Sequence, residues 1–260
     1  MNAVLWLDPP ASGSWNMAMD QAMLEYAASS QQVILRIYEW SRPTVSLGYF
    51  QSWERFSEQS ELQSLDVVRR MTGGGAILHD REWTYSLAIP GDLERKGHSE
   101  QLYRSVHHAV VAWLRELGYA ANFWEELNQK SGTTYLKSDP FFCFERRTQV
   151  DIVVGERKIM GSAQRRSAHG LLQHGSLLID TSPATPHLPG LLSVDTSEKP
   201  NHRYYFANPA RLGEVVKIGL QLGLNCRWTN GKANEAIIER AKAEAEARFA
   251  SPGWTRSKNR

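Results

Sequence analysis

Apolar positions recur along the chain with two different periods, and the elements they predict alternate. Trp15, Ala18, Ala22, Met23 and Tyr26 fall on one face at helical spacing, with Ser12 or Ser14 placed to cap that helix. VILRIYEW (Val33 to Trp40) alternates as a strand does, and Ser41-Arg42-Pro43 turns the chain into a second strand, TVSLGYFQ (Thr44 to Gln51). DVVRR (Asp66 to Arg70) is a short strand that runs into glycines, and EWTYSLAIP (Glu82 to Pro90) is a strand stopped by Pro90-Gly91. A long helix is predicted from Glu100 to Leu117. Leu102, Val106, Ala109, Val110, Trp113 and Leu117 form its stripe, and Gly118 ends it. Val150 to Arg166 reads as a hairpin turning at Gly155-Glu156, followed by a strand from Leu171 to Asp180. Helices are expected over Asn208 to Leu222 and Lys232 to Phe249. The pattern is that of an α/β or α+β chain with a mixed, largely antiparallel sheet flanked by helices.

Length changes this picture little. The chain has 260 residues, enough for one sizeable core. No firm boundary appears. Asp180 to Pro200, rich in Pro, Ser and Thr, is the linker candidate, and the tail SPGWTRSKNR is expected to fray. No apolar run reaches the roughly 18 residues of a membrane span. The start lacks the basic and apolar regions of a secretory signal, so the cytoplasm is the expected location. The net charge of +2 is too small to argue for nucleic acid. Two cysteines, Cys143 and Cys226, make no metal-like pair, and no H-E-x-x-H occurs, so no metal site is expected.

The candidate chemistry starts at RRMTGGGAILHD, Arg69 to Asp80. Three glycines allow positive φ, a nest of backbone N–H groups, and close approach of a carbonyl or phosphate. The stretch is neither a P-loop nor a dinucleotide fingerprint, since Leu78 stands where the latter needs its third glycine. Arg70 has the fork to grip a carboxylate or phosphate, and His79 could donate to an oxygen.

These residues resemble the R-R-x-[ST]-G-G-G-A-x-x-H-D signature of the lipoate–protein ligase A and octanoyltransferase superfamily. GERKIMGSAQRRSAHGLLQHGSLLID (Gly155 to Asp180) is similar to the family's K-I-x-G-S-A-Q and H-G-[ST]-L-L blocks. Weaker matches lie in SWNMAMDQA (Ser14 to Ala22) and RPTVSLGYFQ (Arg42 to Gln51). The resemblance implies a biotin–lipoate ligase fold, related to class II synthetases. The whole chain would form one catalytic domain with a helical part at about residues 200–250. It implies that the glycine loop wraps the head of an acyl group and that Lys158 points at the acyl carbonyl. Arg70, Thr72, Gly73, Gly74, Gly75, Ala76, His79, Asp151, Gly161, Ser162, Ala163 and His174 are the substrate-binding candidates. Strand alternation puts Lys158, Met160, Ser162 and Gln164 on one face.

The superfamily contains ATP-using ligases and ATP-independent transferases. DPFFCFERRTQVD (Asp139 to Asp151) is similar to the A-C-F-x-x-P-S-x-[YF]-[DE] segment of the Cys-dependent, LipM-type octanoyltransferases, with Cys143 eight residues before Asp151. Phe142 replaces the small residue before the cysteine, and Arg146-Arg147 fall near the usual Pro-Ser. The resemblance implies Cys143 as nucleophile; a nearby ammonium would favour its thiolate, and Lys158 is the candidate if hairpin and loop meet. It implies no cofactor, with ATP and magnesium entering only if the chain is a ligase. The amides of Gly73 to Ala76 would assist at the oxyanion, and Leu47, Tyr49, Leu78 and Met160 would line the acyl tunnel. The partners implied are octanoyl-acyl carrier protein and lipoyl domains of 2-oxoacid dehydrogenases or glycine cleavage H protein, with no nucleic acid and no membrane. Arg146, Arg147, Arg157, Lys158, Arg165 and Arg166 form a basic cluster suited to acidic partners. The competing readings are an ATP-dependent lipoate ligase, an octanoyl amidotransferase drawing on glycine cleavage H protein, and a non-catalytic acyl-binding protein. His107 and His108, on the long helix, are expected to be structural.

Overall fold

The computed structural model describes residues 1–91, 98–131, 140–194 and 202–259. Eleven strands are found there: β1 Asn2–Leu7, β2 Val33–Tyr38, β3 Thr44–Leu47, β4 Asp66–Arg69, β5 Ile77–His79, β6 Glu82–Pro90, β7 Ala121–Phe123, β8 Ile152–Val154, β9 Arg157–Ser167, β10 Gly170–Leu178 and β11 Arg227–Gly231. The helices are α1 Gly13–Ser30, α2 Trp53–Ser57, α3 His98–Glu116, α4 Trp124–Ser131, α5 Leu191–Val194, α6 His202–Tyr205, α7 Ala210–Leu224, α8 Glu235–Glu244 and α9 Pro252–Ser257.

Eight strands form the main sheet in the order β11-β1-β2-β6-β10-β9-β8-β7, and a small sheet has the order β4-β3-β5. β1 runs parallel to β2 and β11, whereas the ladders from β2 through β7 are antiparallel. The mixed, helix-flanked sheet expected from the pattern is therefore present. β2 shows how it is packed. Val33, Leu35 and Ile37 enter the core shared with α3 and α7, while Ile34 and Tyr38 enter the core shared with α1 and α8. A strand buried on both faces reads as a continuous apolar run. Arg36 interrupts that run, is fully buried, and is compensated by Asp8 at 2.6 Å and Asp20 at 3.2 Å.

Several expectations change. Ser12, not Ser14, caps α1 by accepting the Trp15 N–H. β3 stops at Leu47 because Gly48 turns the chain, its N–H donating to the Gln51 side chain at 2.9 Å. The helix expected through Phe249 ends at Glu244 and passes into one π turn, Ala245–Phe249. The tail does not fray up to Asn259. Trp254 is buried and donates its indole N–H to the Arg69 carbonyl at 2.9 Å. The linker candidate is not a free linker, since within it Leu191 is fully buried and the Leu192 N–H donates to Ile179; its residues 195–200 lie outside the described residues, as do Asp139 and Arg260. β1, β5, β7 and β11 were not anticipated. Among the described residues no helix is long and apolar enough to cross a membrane.

Candidate active site

β4 delivers Arg69 and Arg70 to the head of the glycine loop. Arg70 is buried, and its guanidinium donates to the carbonyls of Ser46 (2.8 Å), Gly73 (2.7 Å) and Gly75 (2.7 Å). Burial pushes this arginine down to about 10, still charged at neutral pH. The expected grip on a substrate anion is thus not available, because the fork is spent on the loop's own backbone.

The loop uses positive φ only at Gly74 (φ 95). Gly75 is needed for another reason. A Cβ there would lie 2.7 Å from the Cys143 backbone nitrogen. Next to it, the Ala76 N–H donates to Phe141 at 2.9 Å and the Cys143 N–H donates to Ala76 at 2.8 Å. The glycine loop and the cysteine loop therefore meet backbone to backbone. Ala76 is committed to that contact, which removes its amide from the expected oxyanion donors.

Cys143 opens a single 3-10 turn, Cys143–Glu145, and is half-buried. Arg146 and Arg147 staple this loop. Arg146 donates to the Pro140 carbonyl at 2.8 Å, and Arg147 donates to Phe144 at 2.6 Å and to Glu156 at 3.0 Å. They replace the family's Pro-Ser with side-chain bonds that hold the loop's shape. Arg165 is likewise used on the Met71 carbonyl at 2.8 Å. Of the expected basic cluster, Arg157 and Arg166 are the exposed members.

β9 brings Lys158 to the cysteine. Its ammonium is buried, 2.9 Å from the Asp151 carboxylate, 3.1 Å from the Cys143 carbonyl and 3.7 Å from Cys143 Sγ. Burial alone would lower its pKa, but the charges of Cys143 and Asp151 outweigh burial and hold it above the ordinary lysine value. Asp151 also accepts the Thr148 N–H at 2.6 Å, which fixes its carboxylate. The face expected for β9 is corrected here. The register slips between Ile152 and Val153 of β8, leaving Ile159 as an extra residue on β9. This bulge breaks the alternation, so Lys158 faces the cavity while Ile159 and Met160 enter the core. Gly161 makes room, since a Cβ there would sit 2.6 Å from Lys158 Cε.

Cys143, Lys158, Asp151, Arg70, the three glycines, His79, Gly161, Ser162, Ala163 and His174 all border one cavity of about 410 Å³. Met17, Tyr38, Trp40, Ile77, Phe144 and Val150 supply its apolar wall. None of the four expected tunnel residues is among its lining. Leu47 and Leu78 turn to the opposite face of the small sheet and pack with Phe56, Phe141 and Phe142, while Tyr49 packs near Trp254. Thr72 is also not in the wall. It accepts from Arg70 Nε at 3.2 Å and bonds His174 at 2.5 Å. His174 in turn faces Asp20 at 3.3 Å. His79 is held by Ser46 and Glu82, each at 2.8 Å, and stacks on Trp40.

Two hubs escaped the sequence reading. Asp20, inside the weakly matched SWNMAMDQA segment, gathers Arg36, Tyr38, Ser86 and His174. His107 on α3 joins the Val150 carbonyl to Ser162 Oγ, both at 2.7 Å. The carbonyl can only accept, so Nδ1 carries the proton and Nε2 accepts from Ser162. Burial pushes this histidine down to about 4, keeping it neutral. Tyr85, pushed up to about 12 by burial, stays protonated and donates to Ser162 at 2.7 Å. The sequence placed His107 on the long helix in a structural role and did not mark its partners. Among the described residues no group of three His, Cys, Asp or Glu could hold a metal ion.

Comparison with known proteins adds lineage to this geometry. The model of the lipoyl protein ligase A/B catalytic domain matches residues 12–215. Octanoyltransferase LipM of Kyrpidia tusciae is 36% identical over 182 residues, so the match spans 66% of this chain and 64% of that protein. Octanoyltransferase LipM of Bacillus subtilis is 28% identical over 262 residues, spanning 94% of both. The solved bi-partite lipoate protein ligase of Thermoplasma acidophilum superposes with a TM-score of 0.70 at 20% identity, covering 100% of this chain and 98% of that one. That likeness shows the lipoate ligase fold. The chain belongs to the lipoyl protein ligase A/B catalytic domain family.

Proposed function

We propose that this chain is a cytoplasmic, single-domain octanoyltransferase. It takes an octanoyl (or lipoyl) group from acyl carrier protein and delivers it through a Cys143 thioester to a lysine of a lipoyl-accepting domain. The observation that carries this reading is the ammonium of Lys158 lying 3.7 Å from Cys143 Sγ inside the glycine-walled cavity. A full positive charge stands where a nucleophilic sulfur carries its negative charge.

Two half-reactions follow. The Cys143 thiolate attacks the thioester carbonyl of the octanoyl carrier. The new carbon–sulfur bond forms as the old one breaks, and the carrier thiolate leaves and takes up a proton. The acceptor lysine, as the free amine, then attacks the Cys143 thioester. An amide forms, the amine loses a proton, and the Cys143 thiolate is released. Thioester exchange is close to balanced and amide formation is downhill, so neither step needs ATP.

Lys158 directs its ammonium at Asp151, the Cys143 carbonyl and Cys143 Sγ. Acylation removes the charge on sulfur, and that ammonium then faces the new thioester carbonyl. Gly73, Gly74 and Gly75 line the same cavity, and their amides would assist at the oxyanion. The reading is tested by mixing the protein, octanoyl-acyl carrier protein and an unmodified lipoyl domain without ATP and weighing the lipoyl domain. Gain of one octanoyl group is expected. Octanoylation that requires ATP and free octanoate would make the chain a ligase.

A further inference from the structure

Phe50 is 81% exposed. It is the second central residue of the turn closed by the Gln51 N–H donating to the Gly48 carbonyl at 3.0 Å, with its ring edge-on to Tyr49, and it lies against the glycine loop. A Cβ on Gly73 would contact the Phe50 ring at 3.6 Å, and a Cβ on Gly74 would be 3.9 Å from Cys143 Sγ. Two adjacent residues of the cavity wall therefore separate a solvent-facing aromatic ring from the reactive sulfur. Met1, Leu7, Tyr204 and Ile218 are the other large apolar residues exposed among the described residues. They sit at the chain start and on β1, α6 and α7 rather than on the loops of the cavity.

Cations surround Phe50's neighbours. The Arg165 guanidinium lies 5.3 Å and the Lys258 ammonium 5.7 Å from the Tyr49 ring, and the Arg256 guanidinium lies 5.1 Å from the Trp53 ring. Arg256 and Lys258 are exposed. An exposed ring whose neighbours Tyr49 and Trp53 carry three cations, with Glu54 as the acidic group beside them, has an apolar anchor and a mainly cationic rim. The rim fits an acidic partner.

We propose that Phe50 and its cationic rim are the surface on which the acidic, lysine-presenting acceptor domain docks; this rests on the acyl-transfer reading above. Reach selects the acceptor over the acyl carrier. A lysine side chain extends about 6 Å from its backbone, so the acceptor's backbone must come down onto the rim of the cavity. The phosphopantetheine arm of a carrier is several times longer, and the carrier can stand back from that rim. Docking over Phe50 places the acceptor beside Gly73 and Gly74, next to the sulfur it must reach.

Phe50→Ser in the full chain tests this. With Cys143 preloaded from octanoyl-acyl carrier protein, the KM for an unmodified lipoyl domain is expected to rise about tenfold. Acylation of Cys143 by the carrier is expected to keep its wild-type rate. A second measurement does not need turnover. Anisotropy of a labelled, unmodified lipoyl domain titrated with Cys143→Ala protein should show a similar rise in Kd when Phe50→Ser is added. Arg256→Glu with Lys258→Glu should weaken the same binding and flatten its salt dependence. Unchanged Kd in the Phe50→Ser protein would overturn the docking surface, as would acylation slowed by the same factor as acceptor transfer. If wild-type protein never acquires octanoyl on Cys143, the transfer reading fails on its own, and the binding titration still decides the surface.

Discussion

Gly75 and Cys143 occupy space that leaves no room for a side chain between them: a Cβ on Gly75 would be 2.7 Å from the Cys143 nitrogen and 3.0 Å from its Cα. The glycine triplet is thus fitted to the protein's own cysteine loop as much as to any ligand. Gly75→Ala must shift the Cys143 backbone and so disturb the position of its sulfur against Lys158. A displacement of about 1 Å at a reacting atom is enough to cost about 100-fold in rate. Gly73→Ala, whose nearest neighbour is the Phe50 ring at 3.6 Å, should lose far less. Rates of Cys143 acylation for the two variants, measured side by side, check the contrast. Equal losses would mean that the loop's fit to Cys143 is not what limits the rate.

Lys158 and Asp151 are a buried ion pair at 2.9 Å. Removing one partner strands the other. Lys158→Met should lower stability by about 3–5 kcal/mol and also slow alkylation of Cys143 by iodoacetamide at neutral pH. Asp151→Asn should destabilise the fold while leaving an ammonium beside the sulfur, so its alkylation rate should fall much less. Urea unfolding and alkylation kinetics on both proteins separate the two effects. Identical alkylation rates in both variants would contradict the role given to Lys158.

Arg70 ties together Ser46, Gly73 and Gly75 with one planar fork. A lysine has the charge but not the fork, so Arg70→Lys should lose at least one of these bonds, each worth about 1.5–3 kcal/mol when a charged group donates. The thermal midpoint should drop by several degrees, about 2–4 °C for each kcal/mol lost, and acylation should slow with it. Calorimetry and acylation rates on the variant test this.

His107 gives the fold a pH dependence whose sign is fixed. Its pKa falls from 6.5 to about 4 because burial opposes the charged ring. Between those values the unfolded chain binds the proton and the folded protein does not, so stability falls as pH drops from 6.5 toward 4. The contribution, fully present above pH 6.5, amounts to about 3 kcal/mol. His79, also lowered chiefly by burial, acts in the same direction. His107→Gln should flatten the slope of unfolding free energy over that pH range. An unchanged slope would assign it to other groups.

Much of this architecture was legible in the chain. The capped first helix, the long α3 stripe, the β8–β9 hairpin turning at Gly155 (φ 57) and the strand β10 after it follow from periodicity and glycine placement. The pairing of Cys143 with Lys158 came instead from the motif resemblance, and the structure brings the two to 3.7 Å. What escaped was set by long-range geometry. β11 is a mostly exposed edge strand whose residues pair only with β1, so no apolar pattern marks it. The bulge at Ile159 reverses the faces of Lys158 and Met160, and nothing in KIMGSA encodes it. Arg70 looked like a ligand fork because sequence does not reveal that backbone carbonyls of Ser46, Gly73 and Gly75 would claim it. His107 looked inert because its partners, Val150 and Ser162, are 43 and 55 residues away.

The measurement that bears most directly on the central claim is the intact mass of the protein after mixing with octanoyl-acyl carrier protein in the absence of ATP, for wild type and Cys143→Ala. One octanoyl adduct on the wild type, absent from the variant and discharged by a lipoyl domain, is the predicted result. No adduct on the wild type, together with octanoyl-adenylate formation once ATP and octanoate are supplied, would contradict it.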